Sequence, residues 1–353
     1  MGRRAVIEER EFEVPYGLIR AKTWHEDTDD CVKILALHGW MDNAGSFDRL
    51  IPHLNHPRGI YVVAMDLPGH GRSSQLPKGS IYGDTTFIVE IRRVVMQLGW
   101  KRFYIMGHSL GGGLALWYAS LYPDEVEQLI LLDFIKPRTT TTEDLAKRTS
   151  DAIDHLIEIT KRGTRDKGTV TVSRETAIIT TIEAHKSLGV LSRDDATCLL
   201  KRSTIDVSVP PNSVIYYRDL RLQSMINYRE HLELARLMFD GVKCEIITLL
   251  GKDGFYKSEA PDDYWIYLDE FMNILASRCA KFSVYWLEKS DHYLHMNKAS
   301  EVAPYVNKFM ENPESNYFPQ LHENLPKCLK ESIQIKNNDG RNENSSLKER
   351  ACA

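Results

Sequence analysis

The 353-residue chain sets 45 lysines and arginines against 49 aspartates and glutamates, for a net charge of −4, and 42% of its residues are hydrophobic. That length and apolar content suffice for a large buried core, and the nearly balanced charge gives no basic surface for nucleic acid. Six scattered cysteines with no Cys-x-x-Cys pair argue against a disulfide framework or a zinc site, and no metal or other cofactor is expected.

The N-terminal stretch MGRRAVIEEREFEVPYG is charged and lacks the apolar centre of a signal peptide. Val6 stands where a myristoylation motif requires Ser or Thr. No apolar run approaches the ~18 residues of a membrane span. These features predict a soluble cytoplasmic protein. The segment EFEVPYGLIRAKTW reads as a hairpin turning at Pro15, Tyr16 and Gly17. Four short, almost continuously apolar runs follow, at 32–40, 61–71, 103–109 and 128–134, with helical patterns at 85–98 and 110–122 between them. Apolar strands without alternation belong to a parallel sheet whose two faces are both covered by helices. The expected fold is α/β, a mostly parallel doubly wound sheet with its site at the carboxyl ends of the strands. From Pro137 to about Leu232 the pattern turns helical, charged and threonine-rich. A structureless loop of that length is implausible, so 137–232 is expected to be a helical cap inserted into a core of 1–136 and 233–312. Strand-like runs return at 244–250 and 282–287, and a helix closes the core at 298–310. The polar composition of 313–353 predicts a disordered tail.

Chemistry concentrates in FYIMGHSLGG, where a strand runs into Gly107-His108-Ser109-Leu110-Gly111 and then into a helix. Gly-x-Ser-x-Gly at a strand-to-helix junction is a nucleophile elbow. The turn is too sharp for bulky neighbours, so Gly107 and Gly111 give the backbone room, and Ser109 is the candidate nucleophile. A serine hydroxyl needs a base. His292 follows the strand ending at Leu287 and precedes the last helix, with His295 as the alternative three residues on. The base needs an acid to orient it. Asp133 and Asp253 both lie at carboxyl ends of strands, both give the order Ser, Asp, His, and the pattern of residues does not separate them. An oxyanion hole needs two donors. The Leu110 amide follows the nucleophile, and the Trp40 amide lies in the loop after the first parallel strand, where Gly39 lets the backbone approach. His38 is read as a support for that loop, and Asp66, in MDLPGHGRSS, as structural.

The motifs HGWMDNAGSFDRLIP, MDLPGHGRSS, GHSLGG and DHYLHM together resemble the α/β-hydrolase superfamily, and the first is similar to that of the kraken-like serine hydrolase-like proteins. The resemblance runs from about Val6 to Met310. It implies the α/β-hydrolase fold, Ser109 as nucleophile, His292 as base, and Trp40 and Leu110 as oxyanion donors. Haloalkane dehalogenases and epoxide hydrolases carry aspartate at the nucleophile position, so Ser109 speaks against both activities. In relatives whose acid follows the sixth strand, that acid lies at the position of Asp133. In others it follows the seventh strand in a Gly-x-x-Asp setting, and Gly251-Lys252-Asp253 is one residue short of that spacing. The resemblance therefore favours Asp133, and it also allows a peroxisomal or vesicle-associated location. The expected function is a serine hydrolase acting on a small-molecule acyl ester or thioester. The alternative is a non-hydrolytic ligand-binding or scaffold protein on the same fold.

Overall fold

In the computed structural model of the protein, which describes residues 7–137, 142–163, 170–226, 231–255 and 267–311, the first two strands form the expected hairpin. Strands β1 (Ile7–Val14) and β2 (Gly17–Trp24) pair antiparallel in full register, turning at Pro15 and Tyr16. Then come β3 (Val32–Leu37), β4 (Ile60–Met65), α1 (Asp84–Leu98), β5 (Phe103–His108), α2 (Leu110–Leu121) and β6 (Val126–Leu132). The long connection after β6 holds α3 (Thr142–Gly163), β7 (Thr171–Ser173), α4 (Arg174–His185), α5 (Arg193–Ser203), β8 (Thr204–Val207) and β9 (Ser213–Tyr216). The chain finishes with α6 (Leu232–Asp240), β10 (Glu245–Gly251), α7 (Leu268–Arg278), β11 (Phe282–Leu287), α8 (Leu294–Asn297) and α9 (Ala299–Glu311). The tail expected from residue 313 onward lies outside the described residues.

The main sheet has eight strands in the order β1-β2-β4-β3-β5-β6-β10-β11. Only β2 runs against the rest, pairing antiparallel with both β1 and β4. Successive residues of the central strands face two different cores. Leu35, Val63, Ile105, Leu129 and Ile246 pack under α1, α2, α6 and α7. Ile34, Val62, Met106, Ile130 and Ile247 pack on the opposite face, against a 3₁₀ turn at Ala44–Phe47 and against α9. Each such fully buried aliphatic side chain contributes about 1.5–3 kcal/mol, and burial on both faces is why these strands carry no polar alternation in sequence. The sheet's carboxyl edge, at β3, β5, β6 and β10, is where the connecting loops gather.

Besides the expected helices, the connection after β6 carries a small antiparallel sheet, β7-β9-β8. Ala177, Ile178, Ala196, Leu200 and Val214 form its own buried cluster. This insertion is fastened to the loops at the carboxyl edge. Arg202 of α5, 4% exposed, donates to both oxygens of the fully buried Asp66, with Nη2 2.7 Å from Oδ2. Asp66 also accepts the Ala44 and Arg72 amides, each at 2.8 Å, so its role is structural. Asn43 Nδ2 donates to Leu199 O at 2.9 Å, and the indole of Trp40 donates to Leu222 O at 2.9 Å.

Candidate active site

The turn between β5 and α2 holds Ser109 at φ 51° and ψ −114°, a region that residues with a side chain rarely occupy. The Ser109 amide donates to Leu132 O of β6 at 3.1 Å, which fixes the turn to the neighbouring strand. There is no space for larger neighbours. A Cβ on Gly107 would stand 2.4 Å from Gly111 O, and one on Gly111 would stand 2.0 Å from Leu37 O. Ser109 remains partly exposed although the residues on either side are buried.

His292 lies in the loop between β11 and α8 and is 6% exposed. Its Nδ1–H donates to Asp133 Oδ2 at 2.6 Å. Asp133, at the end of β6 with φ 46°, is itself tightly held. Its Oδ1 accepts the Gly251 amide at 2.8 Å, and its own amide donates to Leu249 O at 2.8 Å. Strands β6 and β10 are neighbours, so this carboxylate is braced by the strand that carries the rival acid. Asp253 lies in the turn after β10, its amide donating to Ser290 O at 2.8 Å. With Nδ1–H committed to Asp133, the lone pair of His292 falls on Nε2, the tautomer that a general base requires. The alternative base, His295, is fully buried on α8 and packs against His108 and Phe47, with ring centroids 4.0 and 5.7 Å away. Burial, reinforced by His108, holds its pKa well below the usual imidazole value.

The expected oxyanion donors stand in two loops. Among the described residues neither the Leu110 nor the Trp40 amide has a hydrogen-bond acceptor. The Trp40 loop is held by two buried histidines. His38 Nε2 accepts the Leu67 amide at 3.0 Å while its Nδ1–H donates to Gly39 O at 2.7 Å. His70 Nε2 accepts the Met41 amide at 3.3 Å while its Nδ1–H donates to Pro68 O at 3.1 Å. Each ring needs one lone pair and one N–H for these bonds, so each is neutral, and burial pushes His70 down to about 3. Gly39 is required here because a Cβ would stand 2.8 Å from His108 Nδ1.

The structure adds three residues that the sequence did not single out. His108, inside the elbow motif, donates from Nε2 to the backbone carbonyl of His292 at 2.9 Å and so ties the His292 loop to the strand that leads into Ser109. Its Nδ1 faces Asp42 Oδ2 at 3.6 Å, too long for a hydrogen bond, and burial lowers the pKa of the ring. Asp42, 3% exposed, has its other oxygen 3.4 Å from His185 Nε2 of α4. Burial alone would raise the Asp42 pKa, but the two histidines outweigh it and hold the carboxylate well below its ordinary range. Burial alone would lower the His185 pKa, but Asp42 outweighs it and raises the value. Asp42 and His185 thus stand at ion-pair distance between the Trp40 loop and the insertion. A buried aspartate in a loop and a histidine ending an insertion helix give no sequence signal, because only the fold brings them together.

Among the described residues no cluster of side chains could hold a metal ion, and no helix is long and apolar enough to cross a membrane.

Comparison with known proteins places these features in a family. A family model described as the alpha/beta hydrolase fold matches residues 33–155. A serine hydrolase-like protein of Danio rerio is 31% identical over 318 residues, which is 89% of this chain and 90% of that protein. A probable serine hydrolase of Drosophila melanogaster is 33% identical over 311 residues, 86% of this chain and 88% of its own length. Among solved structures, that of a hypothetical protein from Pseudomonas aeruginosa superposes with a TM-score of 0.70 at 26% identity, covering 86% of this chain and 99% of the other. On the fold and on the extent of these matches, the chain belongs to the serine hydrolase-like proteins of the α/β-hydrolase family.

Proposed function

We propose that the protein is a serine hydrolase that cleaves a carboxylic ester or thioester through an acyl-enzyme. The observation that carries this reading is the 2.6 Å hydrogen bond from His292 Nδ1–H to Asp133 Oδ2, made beside a serine elbow. In the first half-reaction Ser109 Oγ attacks the acyl carbon as its proton passes to His292 Nε2. The carbonyl π electrons move onto oxygen, and the Trp40 and Leu110 amides hydrogen-bond the resulting oxyanion. The intermediate collapses, the bond to the leaving oxygen or sulfur breaks, and His292 returns the proton to that group. Water then gives its proton to His292 and attacks the acyl-Ser109 ester, and the carboxylic acid departs with the serine restored. Asp133 stabilises the imidazolium in both halves without taking up its proton. The insertion would act as the cap, since it holds the Trp40 indole through Leu222 O and accepts the His292 amide at Leu188 O, 3.2 Å away.

A ligand-binding scaffold would not need a histidine held in the base tautomer. Treatment with a fluorophosphonate probe tests the proposal. The wild-type protein should be labelled at Ser109, and Ser109→Ala should remain folded, escape labelling and lose ester hydrolysis by several orders of magnitude. Undiminished turnover by the folded variant would refute the assignment.

A further inference from the structure

The loop between β11 and α8, which carries His292, is held from two sides. The insertion meets it with residues 188–190, between α4 and α5. The His292 amide donates to Leu188 O at 3.2 Å, and the His292 carbonyl accepts His108 Nε2 at 2.9 Å. The preceding residue, Asp291, is half-buried and engages both of its carboxylate oxygens. Oδ1 accepts the Tyr293 amide at 2.8 Å and Asn297 Nδ2 at 2.7 Å. Oδ2 accepts the Val190 amide at 2.8 Å, across 101 positions of sequence. Asn297 Nδ2 also donates to Val190 O at 3.2 Å, which closes a ring of bonds between the two loops. Gly189 permits this approach, since a Cβ there would stand 2.5 Å from Asp291 Cγ.

An aspartate oxygen bonded to the amide two residues on makes a local turn, and Oδ1 alone supplies it. The second oxygen, bonded to the insertion, has no part in that turn. The His292 ring is fixed at Nδ1 by Asp133, but where the ring stands also depends on its backbone. Of the two bonds on that backbone one comes from the insertion, and Asp291 sets a charge-assisted bond beside it. A displacement of about 1 Å in such a group can cost about a hundredfold in rate. We infer that Asp291 is a positioning residue: its carboxylate couples the seating of loop 188–190 to the alignment of the His292 ring. The base then reaches its working place only when the insertion is docked on its loop. This inference rests on the hydrolase reading of the same site, with His292 as base. It makes the insertion part of the catalytic geometry and more than a cover.

Asp291→Ala removes every bond of this carboxylate. Val190→Pro removes the donor on the insertion and leaves the charge in place. Val190→Ala, at a side chain 73% exposed, keeps the amide and serves as the control. In folded Asp291→Ala and Val190→Pro, kcat on 4-nitrophenyl butyrate and the rate of Ser109 labelling by a fluorophosphonate should both fall by about ten- to a hundredfold, with KM within about threefold of the wild type. Asp291→Asn, which keeps one acceptor, should lie between Asp291→Ala and the wild type, and Val190→Ala should match the wild type. The double variant Asp291→Ala/Val190→Pro should lose no more than the larger single loss, because both changes act through one bond. Should the proline unfold the protein, Gly189→Ala presses the same loop away from Asp291 and should give the same loss in kcat. An unchanged kcat, a loss carried by KM, or additive losses would overturn the inference. A second readout needs no turnover. The proton that His292 Nδ1 donates to Asp133 should give a strongly deshielded resonance, absent from His292→Gln, that broadens or vanishes in Asp291→Ala and Val190→Pro. If it does so while the wild type neither hydrolyses the ester nor takes the probe, the coupling stands and the hydrolase reading fails. A resonance as sharp in both variants as in the wild type, or none in the wild type, overturns the coupling.

Discussion

At position 133 one carboxylate accepts two hydrogen bonds, from a histidine and from the amide of a neighbouring strand. Asp133→Asn keeps the shape, removes the charge and allows the wrong histidine tautomer, so ester hydrolysis should fall by about three to four orders of magnitude. Asp253→Asn should cost at most about tenfold. Steady-state rates of both folded variants check this, and a larger loss at Asp253 would reverse the assignment of the acid. Both aspartates end strands, and the preference for Asp133 rested on a one-residue departure in a motif. Only the adjacency of β6 and β10 turns one of them toward His292. The Asp42–His185 pair lends itself to a pH experiment. Its histidine has a raised pKa, so the pair's stabilisation is fully present below the unfolded histidine pKa of about 6.5 and fades as pH climbs through the folded value. His185→Gln should therefore cost roughly 1–3 kcal/mol at pH 5.5 and less at pH 8.5. Urea unfolding at the two pH values decides; an equal loss at both would mean that the ring packs there without its charge.

Among the ion pairs that join the insertion to the loops of the sheet, Arg202 to Asp66 is the most enclosed. Removing one partner of such a pair leaves a charge without compensation. Arg202→Met should lower stability by about 3–5 kcal/mol, measured by urea unfolding. A loss below about 1 kcal/mol would show that the Ala44 and Arg72 amides alone suffice for Asp66. The insertion also marks where sequence reading fell short. Strands β3 to β6, β10 and β11 announce themselves because each lies between two cores and is apolar at most positions on both faces. Strands β7, β8 and β9 are three or four residues long, and β8 runs with Ile205 and Asp206 exposed. A two-residue period cannot be read over such a length, and Val209, Pro210 and Pro211 between β8 and β9 look like loop.

Across the whole molecule, the eight-stranded sheet separates two large cores, whereas the insertion's own cluster of Ala177, Ile178, Ala196, Leu200 and Val214 is far too small to fold alone. The insertion should therefore unfold with the sheet. Scanning calorimetry should give one transition whose calorimetric and van 't Hoff enthalpies agree; a separate low-temperature transition would show an independent unit. The architecture was legible in sequence because it follows from what must be buried. The anchoring of the insertion was not, because it depends on single charged side chains such as Asp42, His185 and Arg202 meeting across more than a hundred residues.

One residue joins these scales. The backbone of Trp40 carries a proposed oxyanion donor, and its half-exposed indole is bonded to the carbonyl of Leu222. The emission spectrum of an indole responds to the polarity and hydrogen bonding around it. Nature has thus left a fluorophore at the joint between the Trp40 loop and the insertion, so any change at that joint can be followed by light, with no attached dye, in a variant that keeps only this tryptophan.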